Sequence, residues 1–290
     1  MAEAEKNKIE DGVLYLVGTP IGNLQDISER AKKVLSEVSF VAAEDTRNSL
    51  KLLTCLGIRA ELVSYFEHNK KASGERIISR LLSGESCALI TDAGMPAISD
   101  PGEDIVRLCA DAGIKVTVVP GACAAVSALA LSGLPTGKFV FEGFLSANKS
   151  ERRSRLGELR CEGRTLIIYE APHKLRSTLS DMAEIFGNTR RISLCRELTK
   201  LNEDVMRTTL GEAVLHYEKN EPRGEYVLVI DGSDEATIAE KNPLLSLSPE
   251  EHVGHYIKSG MKKMDAIKAA AKDRGIPKSE LYNALVGKIK

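Results

Sequence analysis

The sequence predicts an α/β protein: a parallel sheet with helices on both faces, a second α/β unit, and a small basic helical module at the end of the chain. Two observations carry that expectation. Short apolar runs alternate with helix-periodic segments five times up to about Thr136, the pattern of a parallel sheet. Three loops that follow such runs (18–23, 91–100 and 120–124) carry glycine or proline just past a strand. In an open parallel sheet these loops meet at the carboxyl ends of the strands, where ligands bind.

The first run, Val13 to Val17, leads into Gly18-Thr19-Pro20-Ile21-Gly22-Asn23 and a helix from Ser28 with Ala31, Val34, Leu35 and Val38 on one face. The glycines are four apart and Pro20 lacks a donor, so the segment matches a dinucleotide fingerprint only superficially. Phe40 to Ala42 is a second strand ending in Glu44-Asp45-Thr46-Arg47, with a helix running to a Gly57 cap. Leu62-Val63 is a third strand, residues 64–71 read as an exposed loop, and Ser73 reads as the cap of a helix holding Ile77, Ile78, Leu81 and Leu82. Then comes Cys87 to Gly102, the stretch around which the chain is organised. A buried run, Ala88-Leu89-Ile90, stops; Asp92, Gly94 and Pro96 leave the backbone bare; Asp100-Pro101 restarts a helix. Glycine there lets main chain approach a ligand with no side chain in the way. Val116 to Val119, broken by Pro120-Gly121, precedes a helix of small residues from Ala122 to Leu131.

The second unit opens with the strand-like Phe139-Val140-Phe141 and a strongly basic stretch, 148–164. Strands follow at Thr165–Tyr169, Ile192–Cys195 and Tyr226–Ile230, the first running into a helix that ends at Gly187. The expected organisation is 12–136 and 137–232 as α/β domains, 233–247 as linker and 248–290 as a basic, helix-turn-helix-like module. From Lys258 to Lys290 that module carries nine lysines and arginines against Asp265, Asp273 and Glu280, which suits either nucleic-acid binding or a solvated packing tail.

A net charge of −1 supplies no global field toward nucleic acid or membrane, so such contacts must come from local patches. The six cysteines are scattered without CxxC spacing, and the five histidines show no ligand spacing, so neither disulfides nor a metal is expected. The polar N-terminus is no signal peptide, and no run of 18 apolar residues occurs, so a soluble cytoplasmic protein without membrane contact is expected.

Eight ordered motifs, GTPIGN, EDTR, ITDAGMPAISDPG, VPGACA, FEGFL, YEAPHKL, RELTK and RGEYVLVIDG, together resemble those of a family: the small-subunit ribosomal RNA methyltransferases I, cytidine 2′-O-methyltransferases of the tetrapyrrole-methylase superfamily. The resemblance covers roughly residues 13–232 in register. It implies a class III methyltransferase fold, two α/β domains with S-adenosylmethionine in the cleft between them, usually as a homodimer acting on small-subunit ribosomal RNA. Carried over motif by motif, it implies cofactor contacts at Pro20, Ile21, Gly94, Met95, Ile98, Ala122, Cys123, Ala124, Tyr169, Ala171, Leu198 and Tyr226; Asp92 is expected to serve the cofactor or its own backbone turn. One departure stands out: Thr208 replaces the glycine that the family's pattern would place after RELTK.

For transfer to a ribose hydroxyl, Lys200 is the expected catalytic group, as a partly desolvated lysine able to accept a proton, with Glu197 or Glu170 as its partner or as the base. RNA phosphates are expected at Arg152, Arg153 and Arg155, and at Lys262, Lys263 and Lys268. Two other readings stay open: a superfamily methyltransferase acting on a tetrapyrrole-like small molecule, and a non-catalytic RNA-binding protein with a vestigial pocket.

Overall fold

A computed structural model describes residues 8–234 and 243–285. The first seven residues, the middle of the expected linker (235–242) and the last five residues of the expected module lie outside the described residues. Strands β1 (Leu14–Val17), β2 (Phe40–Ala43), β3 (Leu62–Ser64), β4 (Cys87–Ile90) and β5 (Val116–Val119) form one wholly parallel sheet in the order β3-β2-β4-β1-β5. Both faces are covered, which is why β2 and β4 are apolar at every position. On one face α1 (Glu29–Glu37) and α2 (Thr46–Cys55) bury Ala31, Val34, Leu35 and Leu53 against Tyr15, Val17, Val41 and Ile90. On the other, α3 (Lys70–Leu82) and α4 (Gly102–Asp111) bury Ile77, Leu81, Ile105 and Cys109 against Leu14, Phe40 and Leu89.

A second sheet, β6-β7-β10-β8-β9, is mixed: β6 (Phe139–Phe144) and β7 (Thr165–Glu170) are parallel, and β8 (Arg191–Arg196), β9 (Asp204–Thr209) and β10 (Tyr226–Ile230) pair antiparallel. Its outer face packs on α6 (Lys149–Leu159), α7 (Pro172–Phe186) and α8 (Leu210–Lys219). Its inner face packs on α5 (Ala124–Ser132), through Ala125, Ala128 and Leu129 against Ile167, Cys195, Val227 and Val229. The small-residue helix expected to serve the first unit therefore lies against the second sheet.

Several local expectations change. The helix expected to start at Ser73 starts at Lys70, with Ser73 instead donating to Ser64 O. Tyr65, expected in an exposed loop, is buried and donates to Pro101 O. Asp100 accepts from the Ala97 and Gly102 N–H groups, so it ties the organising loop to the start of α4 while Pro101 takes the cap position. Thr208 fits a regular strand position, opposite Ile192.

The C-terminal module is three helices, α9 (Pro249–Lys258), α10 (Lys263–Asp273) and α11 (Lys278–Leu285), around Val253, Ile267, Ala270 and Leu281. His252 is fully buried there; its ring nitrogens meet Asp273 and the Arg274 guanidinium, and burial holds its pKa below the ordinary value. Among the described residues no cluster of metal-ligating side chains occurs, and no helix is long and apolar enough to cross a membrane.

The basic stretch is corrected by packing. Arg152 is 4% exposed and bonds Asp181, itself 4% exposed, at 2.7–2.9 Å, so it does not present its guanidinium to a phosphate backbone. Arg153 pairs with Asp181 and Glu184, and Arg155 with Glu142 and Glu158, so α6 is a charge-neutralised face locked to α7 and β6. Arg152→Ala strips a buried carboxylate of a principal partner and should cost about 3 kcal/mol of stability in a urea melt. A variant as stable as the parent would return Arg152 to the surface.

Candidate active site

Both sheets turn the same kind of edge toward one cavity of about 460 Å³. From the first sheet it is lined by residues that follow the carboxyl ends of β1, β2, β4 and β5: Ile21, Glu44, Thr91 to Met95, Ile98 to Asp100, Cys123 and Ala124. From the second come the carboxyl ends of β6, β7 and β8 and the start of antiparallel β10: Phe144, Tyr169 to Ala171, Cys195, Glu197, Leu198, Lys200 and Glu225 to Val227. The position follows the rule for open parallel sheets, and its size suits a small-molecule ligand.

Three loops are knitted into one wall. Thr19 and Gly94 pair through two backbone bonds, Thr19 N–H to Gly94 O at 2.9 Å and Gly94 N–H to Thr19 O at 3.2 Å. Gly18 and Gly121 come so close that a Cβ on either would sit 2.7–2.8 Å from the other's backbone. Gly121 N–H donates to Met95 Sδ. Ala97, Ser99, Glu197 and Thr199 all have φ between +52° and +67°, a conformation costly for residues with a Cβ. Such strain concentrates at ligand sites.

Of the residues expected to hold a cofactor, the structure brings Ile21, Asp92, Gly94, Met95, Ile98, Cys123, Ala124, Tyr169, Ala171, Leu198 and Tyr226 into this one cavity. Pro20 and Ala122 are not among its lining residues; the Ala122 carbonyl instead lies 3.3 Å from where a Gly94 Cβ would be. Tyr169 accepts the Ala125 N–H at the start of α5, and burial pushes its hydroxyl up to about 12.

The catalytic expectations change more. Glu170 lines the cavity, but it is 2% exposed and its two oxygens meet Thr178 Oγ1 (2.5 Å), the Ala171 N–H (2.9 Å) and Lys174 Nζ (3.1 Å). It organises the start of α7 and is placed to position that helix. Lys200 Nζ bonds Glu197 Oε1 and Glu225 Oε2, both at 2.8 Å. Burial pulls its pKa down, the two carboxylates push it up, and the carboxylates win, so the ammonium stays protonated well above neutrality. A proton-accepting lysine is therefore replaced by a fixed cation. Glu197 is held below the usual carboxylate range by Lys200 and by the Glu225 N–H, so it stays ionised.

Sequence reading passed over Ser99, Phe144, Cys195 and Glu225 as site residues, and it took Asp100 only as a helix cap. Asp100 Oδ2 is buried in the cavity wall without a protein partner. Among the titratable lining groups, Glu44, Asp92, Asp100, Glu170, Glu197 and Glu225 face a single lysine. An unpaired carboxylate oxygen and an excess of negative charge fit a ligand that carries cationic and donor groups. The bare backbone at Gly94 leaves room for it. S-adenosylmethionine, with a sulfonium, an ammonium and ribose hydroxyls, has that chemistry.

The profile of the tetrapyrrole (corrin/porphyrin) methylases matches residues 13–214. The chain is 48% identical to ribosomal RNA small subunit methyltransferase I of Halalkalibacterium halodurans, over 97% of each chain. It is 47% identical to the Bacillus subtilis protein of the same name, over 96% of this chain and 95% of that one. The crystal structure of uroporphyrin-III C-methyltransferase from Thermus thermophilus shares the fold, with a TM-score of 0.54 at 22% identity over 80% of this chain and 98% of that one. The two-sheet architecture, the cleft between the sheets and these matches agree: the chain belongs to the tetrapyrrole (corrin/porphyrin) methylase family of S-adenosylmethionine-dependent methyltransferases.

Proposed function

We propose that this protein transfers a methyl group from S-adenosylmethionine to the 2′-oxygen of a cytidine ribose in small-subunit ribosomal RNA, acting in the cytoplasm as a homodimer. The observation that carries the RNA reading is the likeness, at 47–48% identity over nearly the whole chain, to proteins named for that RNA. A tetrapyrrole-like substrate has behind it only the family profile, which describes corrin and porphyrin methylases as a whole, and a fold-level likeness at 22% identity.

When bound, S-adenosylmethionine supplies an electrophilic methyl group on its sulfonium sulfur. Gly94, Ile21, Cys123 and Ala124 would bind it through backbone and small apolar surface, Asp100 and Asp92 would take its donors, and Leu198 and Tyr226 would close the second side. As the ribose oxygen gains the methyl carbon, its hydroxyl proton passes to solvent water. The Lys200 ammonium, held by Glu197 and Glu225, stands beside the cavity to stabilise negative charge developing on that oxygen.

The C-terminal module supports the RNA reading. Lys262 occupies the cap position of α10 and Lys263 its first residue, where a cation opposes the helix dipole, and both are exposed, as is Lys268. Exposed cations along this helix and at its cap are placed to meet a phosphate backbone. Replacing all three by alanine should lower the salt slope of RNA binding by about 2, at roughly 0.7 per lost phosphate contact. An unchanged slope would leave the module a packing tail.

The function itself is tested with labelled S-adenosylmethionine and small subunits isolated from a strain lacking the gene. Label should enter the RNA, and the modified nucleotide should resist alkaline cleavage, which needs a free 2′-hydroxyl. Label in a base would refute the ribose assignment, and no label in RNA would refute the RNA substrate.

A further inference from the structure

Phe144 is the last residue of β6, lines the cavity, and is 59% exposed. Its direction is set by a backbone irregularity. β6 and β7 pair from Phe139 opposite Thr165 to Phe141 opposite Ile167; Gly143 then pairs with Ile168 and Phe144 with Tyr169, so Glu142 is an extra residue. In a regular strand, residues 141 and 144, three apart, point to opposite faces. The bulge puts both on the face of Tyr169, with ring centroids 5.0 Å (Phe141) and 5.4 Å (Phe144) from the Tyr169 ring. Gly143 adopts φ +65°, and a Cβ there would come within 3.0 Å of Ser99 Oγ, so the bulge also seats against the organising loop. Packing accounts for Phe141 and Tyr169, which join the cluster under α5. It does not account for Phe144, whose ring keeps most of its surface outside that cluster. Lys174 Nζ lies 5.7 Å from its centroid.

We propose that Phe144 is the stacking platform for a nucleobase, that of the nucleotide receiving the methyl group. The inference rests on the RNA reading above. Charge favours this ligand group over the RNA backbone: with Glu44, Asp92, Asp100 and Glu197 in the lining, phosphates are repelled and the base and ribose are the parts able to enter. Unstacked bases of single-stranded RNA are typically held on aromatic rings. The adenine of the cofactor offers the same flat face, so the test separates the two.

Phe144→Ala and Phe144→Trp are prepared in the full-length protein. Methylation of small subunits from a strain lacking the gene gives KM and the single-turnover rate, and calorimetry gives cofactor Kd. The expected result is a rise of about 10-fold in KM for Phe144→Ala, on the scale of one lost base–aromatic stack, with cofactor Kd within twofold. Phe144→Trp should restore KM. An unchanged KM, a parallel loss of cofactor affinity, or a loss traced to a lowered melting temperature in both variants would each overturn the proposal. If the parent enzyme itself transfers no methyl group to the particles, the RNA reading fails and this inference falls with it.

Discussion

Gly94→Val is expected to weaken S-adenosylmethionine binding at least 100-fold while leaving a folded protein. Gly94 has φ +87°, where a β-branched residue is a strained outlier. Its Cβ would also stand 3.3 Å from both the Ala122 carbonyl and Ile21 Cγ2. The backbone does not give way easily, because Gly94 is bonded to Thr19 in both directions and Gly121, next to Ala122, lies against Gly18. Strain of about 1–3 kcal/mol and overpacking of similar size must be relieved by moving the loop, and the loop is the cofactor wall. A factor of 100 corresponds to about 2.7 kcal/mol, within that range. Gly94→Ala shares the φ cost with less volume and should fall between parent and valine. Calorimetry on each variant, with a thermal melt to show folding, checks the series; native affinity in folded Gly94→Val would remove this loop from the cofactor site.

Much of this wall was legible in the sequence because its cause is local. A glycine or proline directly after an apolar run states that backbone must be bare there, and Gly18, Gly94 and Gly121 all meet in one place. What escaped depends on partners distant in sequence. Arg152 reads as a surface cation until Asp181, 29 residues on, is folded against it. Lys200 reads as a lysine open to desolvation until Glu225 arrives from the turn before β10. Tyr65 sits in a polar string but reaches Pro101, 36 residues away. The helix α8 went unread although a local signal was present: Thr209 and Glu212 form a reciprocal capping box. The bulge that turns Phe144 into the cavity leaves only Gly143 as a trace, and a glycine inside a strand pattern has several meanings.

Lys200→Met should slow single-turnover methylation about 100-fold, with cofactor affinity changed only a few-fold. Two roles predict that loss, a base and a fixed cation, and they part on a second variant. Arginine keeps the charge and does not accept a proton near neutral pH. The ion pairs with Glu197 and Glu225 and the raised pKa make Lys200 a cation, so Lys200→Arg should recover at least a tenth of the parent rate. If Lys200→Arg is as slow as Lys200→Met at intact binding, the base role stands instead. The pH dependence gives an independent check. Glu197 has a depressed folded pKa, so its contribution to stability is present above about pH 4.5 and is lost as pH falls through the folded value. Lys200 has a raised one, so its contribution is complete below about pH 10.5 and is lost as pH rises through the folded value. Between those limits the pair neither gains nor loses a proton, and a base of ordinary lysine character would make the rate climb tenfold per pH unit over the same range. The expected profile of the Lys200→Met to parent rate ratio is therefore flat from pH 6 to 9, because the cation that stabilises the forming charge is the same species throughout.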